Sequence, residues 1–189
     1  MSHSTTIKTV PISSRSALRA AVAELQTRGI NIELVEDAKP RMYYSDQIAK
    51  QIVGKEGADE FDFNSDPDVC DFVIKVPGSF YDIGLLRNAG GSGYTPVFDD
   101  YSGRPVSGAP TTAAMRGLKD ILGNKYDGKV EHWAGRRDDV EGSLFSIGKL
   151  LAGYTKHATI EAATMAGHTV AGCVENPETG EIKLTLNVH

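Results

Sequence analysis

An acidic loop, a glycine-rich turn, scattered histidines and a tryptophan ringed by cations are the parts of this 189-residue chain that could do chemistry. In DFNSDPD, Asp62, Asn64 and Asp66 take positions one, three and five of a calcium-loop pattern. The pattern then fails: position six, where a sharp turn needs glycine, is Pro67, and position twelve, where a bidentate glutamate belongs, is Val73. The surrounding window, 56 to 71, holds seven acidic residues and no lysine or arginine, and reads as an exposed, solvated loop. AGGSGY has the composition of a phosphate cradle, but a cradle leads from a strand into a helix N-terminus, and here the glycines join two strand-like segments. A hairpin loop is the better reading.

The histidines are His3, His132, His157, His168 and His189. None forms an HxxxH pair or stands near a cysteine, so zinc spacing is missing. His157 and His168 would share a helix only if it ran past Gly167. His3 would complete an amino-terminal copper or nickel site only with Met1 retained. There is no G-x-S-x-G elbow, and neither Cys70 nor Cys173 has a base beside it in sequence, which leaves nucleophilic catalysis without support. These patterns ask for no metal and no cofactor and lean away from an enzyme. In KYDGKVEHWAGRRDD, Lys125, Lys129, Arg136 and Arg137 surround Trp133, as a base-stacking site would require. Asp127, Glu131, Asp138 and Asp139 cancel those charges, so Trp133 reads as an anchor to the core or as a side chain presented to a partner.

The most informative stretch is KVPGSFYDIGLLRN, residues 75 to 88. Alternation sends Tyr81, Ile83 and Leu85 to one face and Asp82, Gly84 and Leu86 to the other. Glycine in mid-strand points to a bulge or to another group passing close to the backbone. The plainest reading of Asp82 and Arg87 is surface ion pairing to neighbouring strands, which is worth little. The functional reading makes Tyr81, Asp82, Arg87 and Asn88 a polar contact surface at the two ends of the strand.

These residues need a scaffold, and composition allows one. With 40% hydrophobic and 24% charged residues, the chain reads as one soluble domain, 1–189, with a sizeable core. A net charge of −5 points away from nucleic acid and from acidic membrane surfaces, where affinity comes from clustered cations. No segment has the run of roughly 18 apolar residues that a spanning helix needs, and the N-terminus lacks the apolar core of a signal peptide. Two cysteines far apart suit a reducing compartment. A cytoplasmic location is expected.

TTIKTV alternates as a strand, Ser13 and Ser14 offer N-cap oxygens to a helix with Leu18, Ala21, Val22 and Leu25 on one face, and Gly29 is placed to stop it. INIELV is a second strand, and a short helix is expected around SDQIAKQIV. DFVIKV and FYDIGLL, joined by PGS, pair with YTPVFDDY as an antiparallel meander with Phe72, Ile74, Val76, Tyr81, Ile83 and Leu85 facing the core. A helix at TTAAMRGLKDIL carries Met115, Leu118 and Leu122 on one face. A long amphipathic helix then shows Leu144, Ile147, Leu151, Tyr154, Ala158 and Met165 at spacings near three and four. A strand, an Asn-Pro-Glu-Thr-Gly turn and a final strand with Ile182, Leu184, Leu186 and Val188 alternating close the chain. The expected fold is α+β, an antiparallel sheet with helices packed on one face.

Three segments, MSHSTTIKT, DFVIKVPGSFYDIGLLRN and LLAGYTKHATIEAATMAGHTVAGCVENPETGEIKLTLNV, occur in an order that resembles domain-of-unknown-function family 1257, whose members are conserved hypothetical proteins of cyanobacteria, plastids, other bacteria and phages. The resemblance covers a little over half of the chain. It implies a small α+β domain without an established activity or cofactor, and an adaptor or substrate role beside AAA-type ATPases. The chain departs from the family at residues 37–66 and 102–142, which read as insertions suited to a specialised function, as in a phage-encoded relative. It departs again where a tryptophan-rich strand end is replaced by FDDYSG. The expected function is a non-enzymatic binding or adaptor protein with a protein partner. The alternatives are a small-ligand or nucleotide-binding regulatory domain or enzyme, in which Asp82 and Arg87 converge on a cleft, and a structural assembly subunit.

Overall fold

In the computed structural model the described residues are 4–6, 12–42, 59, 61–91, 93–99, 115–123, 147–176 and 182–187. The expected helix around residue 45, the Trp133 segment and most of the second insertion lie outside them. Strand β1 is Ser4–Thr6, helix α1 Arg15–Thr27, and strands β2 to β6 are Glu33–Ala38, Phe61–Asp62, Cys70–Lys75, Ile83–Asn88 and Tyr94–Asp99. Helix α2 is Leu118–Leu122, α3 is Gly148–Met165, and strands β7 and β8 are Thr169–Glu175 and Ile182–Asn187. The fold is α+β.

The larger sheet runs β1-β6-β5-β4-β2 with every pair antiparallel, and β3 lies beside β5 where it extends beyond β4. Its centre is the expected meander. Pro77 and Gly78 fold the chain back so that the Ser79 amide donates to the Val76 carbonyl at 2.7 Å, and Ile83 falls opposite both Ile74 and Phe98. The glycine-rich segment closes the next hairpin, with the Asn88 amide donating to Gly93 at 2.8 Å.

All three helices cover one face of this sheet. Ser14 caps α1 by accepting from the Ala17 amide, Gly29 ends it at a φ of 81°, and Ala17, Leu18, Ala21, Val22 and Leu25 are buried as the spacing foretold. With Leu118 and Leu122 of α2 and Leu150, Leu151 and Tyr154 of α3, they pack on Phe72, Ile74, Ile83, Leu85 and Phe98. The α1–α3 contact is close because Gly153 leaves room for Ala21.

The other face is buried too. Cys70, Val73, Leu86 and Val97 form a second core with Met42 and Phe61, and Ala38 and Phe63 pack against it. Among its described residues the acidic window is therefore exposed at Asp59, Asp62, Ser65 and Asp66, as expected, but buried at its Phe61 and at Cys70 and Asp71. Phe61 inserts, residues 61 and 62 pair with Asn88 and Arg87, and Asp71 is buried. Charge did not expel the segment because its aromatics supply apolar area and its buried acid finds a cation.

Three further expectations are corrected. Strand β2 begins at Glu33, after Ile32, whose carbonyl is held by the Gln26 side chain at 2.7 Å. Met165 is 84% exposed, because past Tyr154 the buried position on α3 is Ala163, and two residues turn a helix by about 200°. The closing strands do not join the main sheet but form a separate hairpin.

Both faces being packed explains Gly84. A Cβ there would stand 2.7 Å from the Cys70 sulfur and 3.1 Å from both Pro40 Cγ and Val97 Cγ1. Gly84→Ala should cost about 1–3 kcal/mol, the usual range for overpacking, read from chemical denaturation. Adding Cys70→Ala should restore part of the loss, and a neutral Gly84→Ala would show that the second core is loose.

Candidate functional site

A hairpin turn followed by an acid places Asp82 at the entry to β5, where it is fully buried. The segment leaving β2 brings Arg41 to it. The Arg41 backbone amide, Nε and Nη2 reach Asp82 at 2.9, 3.0 and 2.8 Å, while the Asp82 amide donates back to the Arg41 carbonyl at 2.9 Å. The Val76 amide donates to Asp82 Oδ1 at 2.9 Å, and Lys75 Nζ stands 3.4 Å from Oδ2. Burial opposes ionisation of Asp82, but these donors outweigh it and hold the carboxyl below its ordinary range. Arg41 remains 43% exposed, with Nη2 also donating to the Val76 carbonyl. Tyr81 is buried in the helix-side core, its ring tilted against Phe80.

A second cluster sits at the exit of β5. Arg87 Nε donates to Asp71 Oδ2 at 2.9 Å, its Nη2 donates to the same oxygen, and Asn64 donates to Oδ1 at 3.1 Å. The Tyr94 hydroxyl accepts from Arg15 at 3.0 Å, and Arg15 lies over the Phe72 ring at 5.1 Å from its centroid. Burial opposes ionisation of Asp71, but the Arg87 and Asn64 donors hold its carboxyl low. Arg87 stays 44% exposed. Asn88 accepts from the Thr95 hydroxyl at 2.6 Å.

The chain thus groups Tyr81 with Asp82 and Arg87 with Asn88, but it does not bring the two groups together. At about 3.3 Å per residue, Asp82 and Arg87 lie roughly 16 Å apart along an extended strand, so they do not converge on one cleft. Both are ion-paired to neighbouring segments, as the plain reading held, yet Asp82 is buried rather than on the surface. Trp133 lies outside the described residues. Arg41, Asp71, Asn64, Tyr94 and Arg15 were not anticipated. Only Lys75 left a trace, opening the quoted stretch across the turn from the acid.

A third network joins elements remote in sequence. Glu24 of α1 is bridged to Lys156 and lies 2.7 Å from His157 Nε2, both on α3, and Arg28 links Glu24 to Glu175 of β7. At the other end of α1, Ser14 and Ser16 donate to Glu161. In the loop once read against a calcium pattern, Asn64 is turned to Asp71, and Asp66 accepts from the Asp68 amide and pairs with Lys39. Among the described residues no group of three or more His, Cys, Asp or Glu side chains is arranged to hold a metal ion, and no helix is long and apolar enough to cross a membrane.

What these clusters define is an α+β protein with an exposed, carboxylate-held arginine at each end of one central strand. Comparison with protein-family models, curated proteins and solved structures finds no match, so the likeness to family 1257 rests on the quoted segments alone.

Because the folded-state pKa of Asp82 lies below its unfolded value, near 3.9, its contribution to stability is present above about pH 4 and is lost as pH falls through the folded value. Asp82→Asn should lower stability at neutral pH and flatten the loss below pH 4, as measured by urea denaturation across a pH series. Parallel curves for the two proteins would show that Asp82 contributes nothing to acid lability.

Proposed function

We infer that this protein is a non-enzymatic binding or adaptor module acting through a protein partner, with Arg87 as its principal contact group among the described residues and Arg41 as the second. The observation that supports this reading is that a buried carboxylate pins each guanidinium while more than two fifths of the side chain stays in solvent. An arginine fixed in this way loses little rotamer entropy on binding and keeps unused N–H donors facing outward. It therefore suits an acidic surface on another protein. Asp71 and Asp82 act as supports, with Tyr81 filling the core beneath and Asn88 bracing the strand end. Burial of both sheet faces leaves the rim of the sheet as the contact surface. The family likeness suggests an AAA-type ATPase as the partner class.

The test is affinity capture from host lysate at moderate salt, comparing the intact chain with Asp71→Asn, with Arg87→Ala/Asp71→Asn and with a deletion of residues 103–140. A stoichiometric protein retained by the intact chain and by Asp71→Asn, and lost with Arg87→Ala/Asp71→Asn at a temperature where that variant stays folded, is expected. Retention by the double variant would remove Arg87 from the interface, and loss on the deletion alone would move the contact to the Trp133 segment. If nothing is captured and a small ligand raises the thermal midpoint of the intact chain but not of the double variant, the ligand-binding reading replaces this one.

A further inference from the structure

Among the described residues the outer edges of the two sheets are β1 and β2 in the larger and β7 and β8 in the smaller. An open edge offers a row of unpaired amides and carbonyls to any other strand, and proteins that stay monomeric blunt it. Three of these edges are blunted. Strand β1 is only three residues long. Strand β2 carries Glu33, Glu36 and Asp37, and Asp37 breaks its regularity at a φ of 49°. Strand β7 is interrupted by a register shift between Val170 and Gly172. Strand β8 has none of these devices: it is regular over six residues, contains no proline or glycine, and has one charged side chain, Lys183.

We propose that β8 is a self-pairing edge on which a second copy of this chain docks antiparallel, giving a continuous four-stranded β7-β8-β8-β7 sheet. The pattern of the strand selects the occupant. Ile182, Leu184 and Leu186 are half-buried and alternate with exposed Lys183, Thr185 and Asn187. About a two-fold axis at Leu184, Ile182 meets Leu186 of the other copy and Lys183 meets Thr185, so apolar faces apolar and the cation never faces itself. Glu175, the charge on β7, is already held by Arg28. Two strands alone are marginal, so each added strand stabilises the hairpin. The inference goes beyond the adaptor reading and does not rest on it.

Sedimentation equilibrium on the intact chain tests it, with Thr185→Lys, Thr185→Glu and Lys183→Glu/Thr185→Lys. Position 185 is exposed and lies opposite Gly172, and position 183 opposite Val174, so none of these changes faces a charge across the hairpin of one copy. The intact chain should be dimeric at about 100 µM, a concentration that populates even modest contacts. Thr185→Lys, which sets like charges opposite each other twice, should weaken dimerisation several-fold, on the order of tenfold. Thr185→Glu should tighten it, and the double variant should restore it. A monomer at that concentration, or a dimer indifferent to all three variants, overturns the proposal, and weakening by both single variants overturns the Leu184 register.

A spin label gives a second reading. Cys173 is exposed and pairs with Leu184, while Cys70 is buried with its thiol pushed up to about 12, so one site per chain takes the label. Three strand spacings of about 4.8 Å put the two Cys173 α-carbons roughly 14 Å apart, close enough for strong dipolar broadening. Its absence in a proven dimer would place the interface elsewhere.

Discussion

Asp82 has no contact with water, and much of the larger sheet is arranged around that fact. An ionised carboxylate in such a place is tolerated only when its oxygens are filled by donors, and those donors come from two stretches of chain. Val76 is the residue at which β4 turns, Arg41 lies where the chain leaves β2, and Lys75 closes β4. One side chain thereby fixes the turn between the meander's first two strands and the path of the segment that covers the sheet's second face. The arginine satisfies Asp82 with both backbone and side chain, so neither partner can shift without leaving a buried charge unmatched.

That path makes the meander a fully interior object. With helices on one face and the Met42–Phe61 cluster on the other, the central strands are apolar on both sides. Antiparallel sheets more often leave one side wet. Gly84 follows from this, as the point where the sulfur of a neighbouring strand and a proline from the covering segment press against the backbone. At the ends of β5, where the strand leaves the packed region, carboxylates hold their arginines at the rim.

Local signals in the sequence were strong where one short segment determined the outcome. Leu18, Ala21, Val22 and Leu25 define a helix face by spacing alone, and Gly29 and Gly167 stop their helices through left-handed backbone. The alternation around Ile74 and Ile83 gave the meander and its core-facing residues. Tertiary partners stayed hidden because nothing local encodes them. Arg41 lies 41 positions from Asp82, and Asp71 reads as one more acid in an acidic run until Arg87 is folded onto it. The acidic run itself misled in part, since density of charge masked the buried Phe61. Met165 was misplaced because helical spacing cannot say where along a helix the buried side ends.

The Tyr154 hydroxyl accepts from the amides of Ser13 and Ser14, at 2.8 and 3.2 Å, across more than 130 intervening residues. Those amides open α1 and have no partner within their own helix. The chain is synthesised from the other end, so α1 and the meander emerge from the ribosome long before the residue that caps them. Until α3 arrives, the nascent protein holds a sheet with one lid half fitted, its apolar helix stripe uncovered along the side that Gly153 will later meet. Completion of this core therefore waits on α3, and a product stopped before that helix would expose the apolar surface that a chaperone recognises.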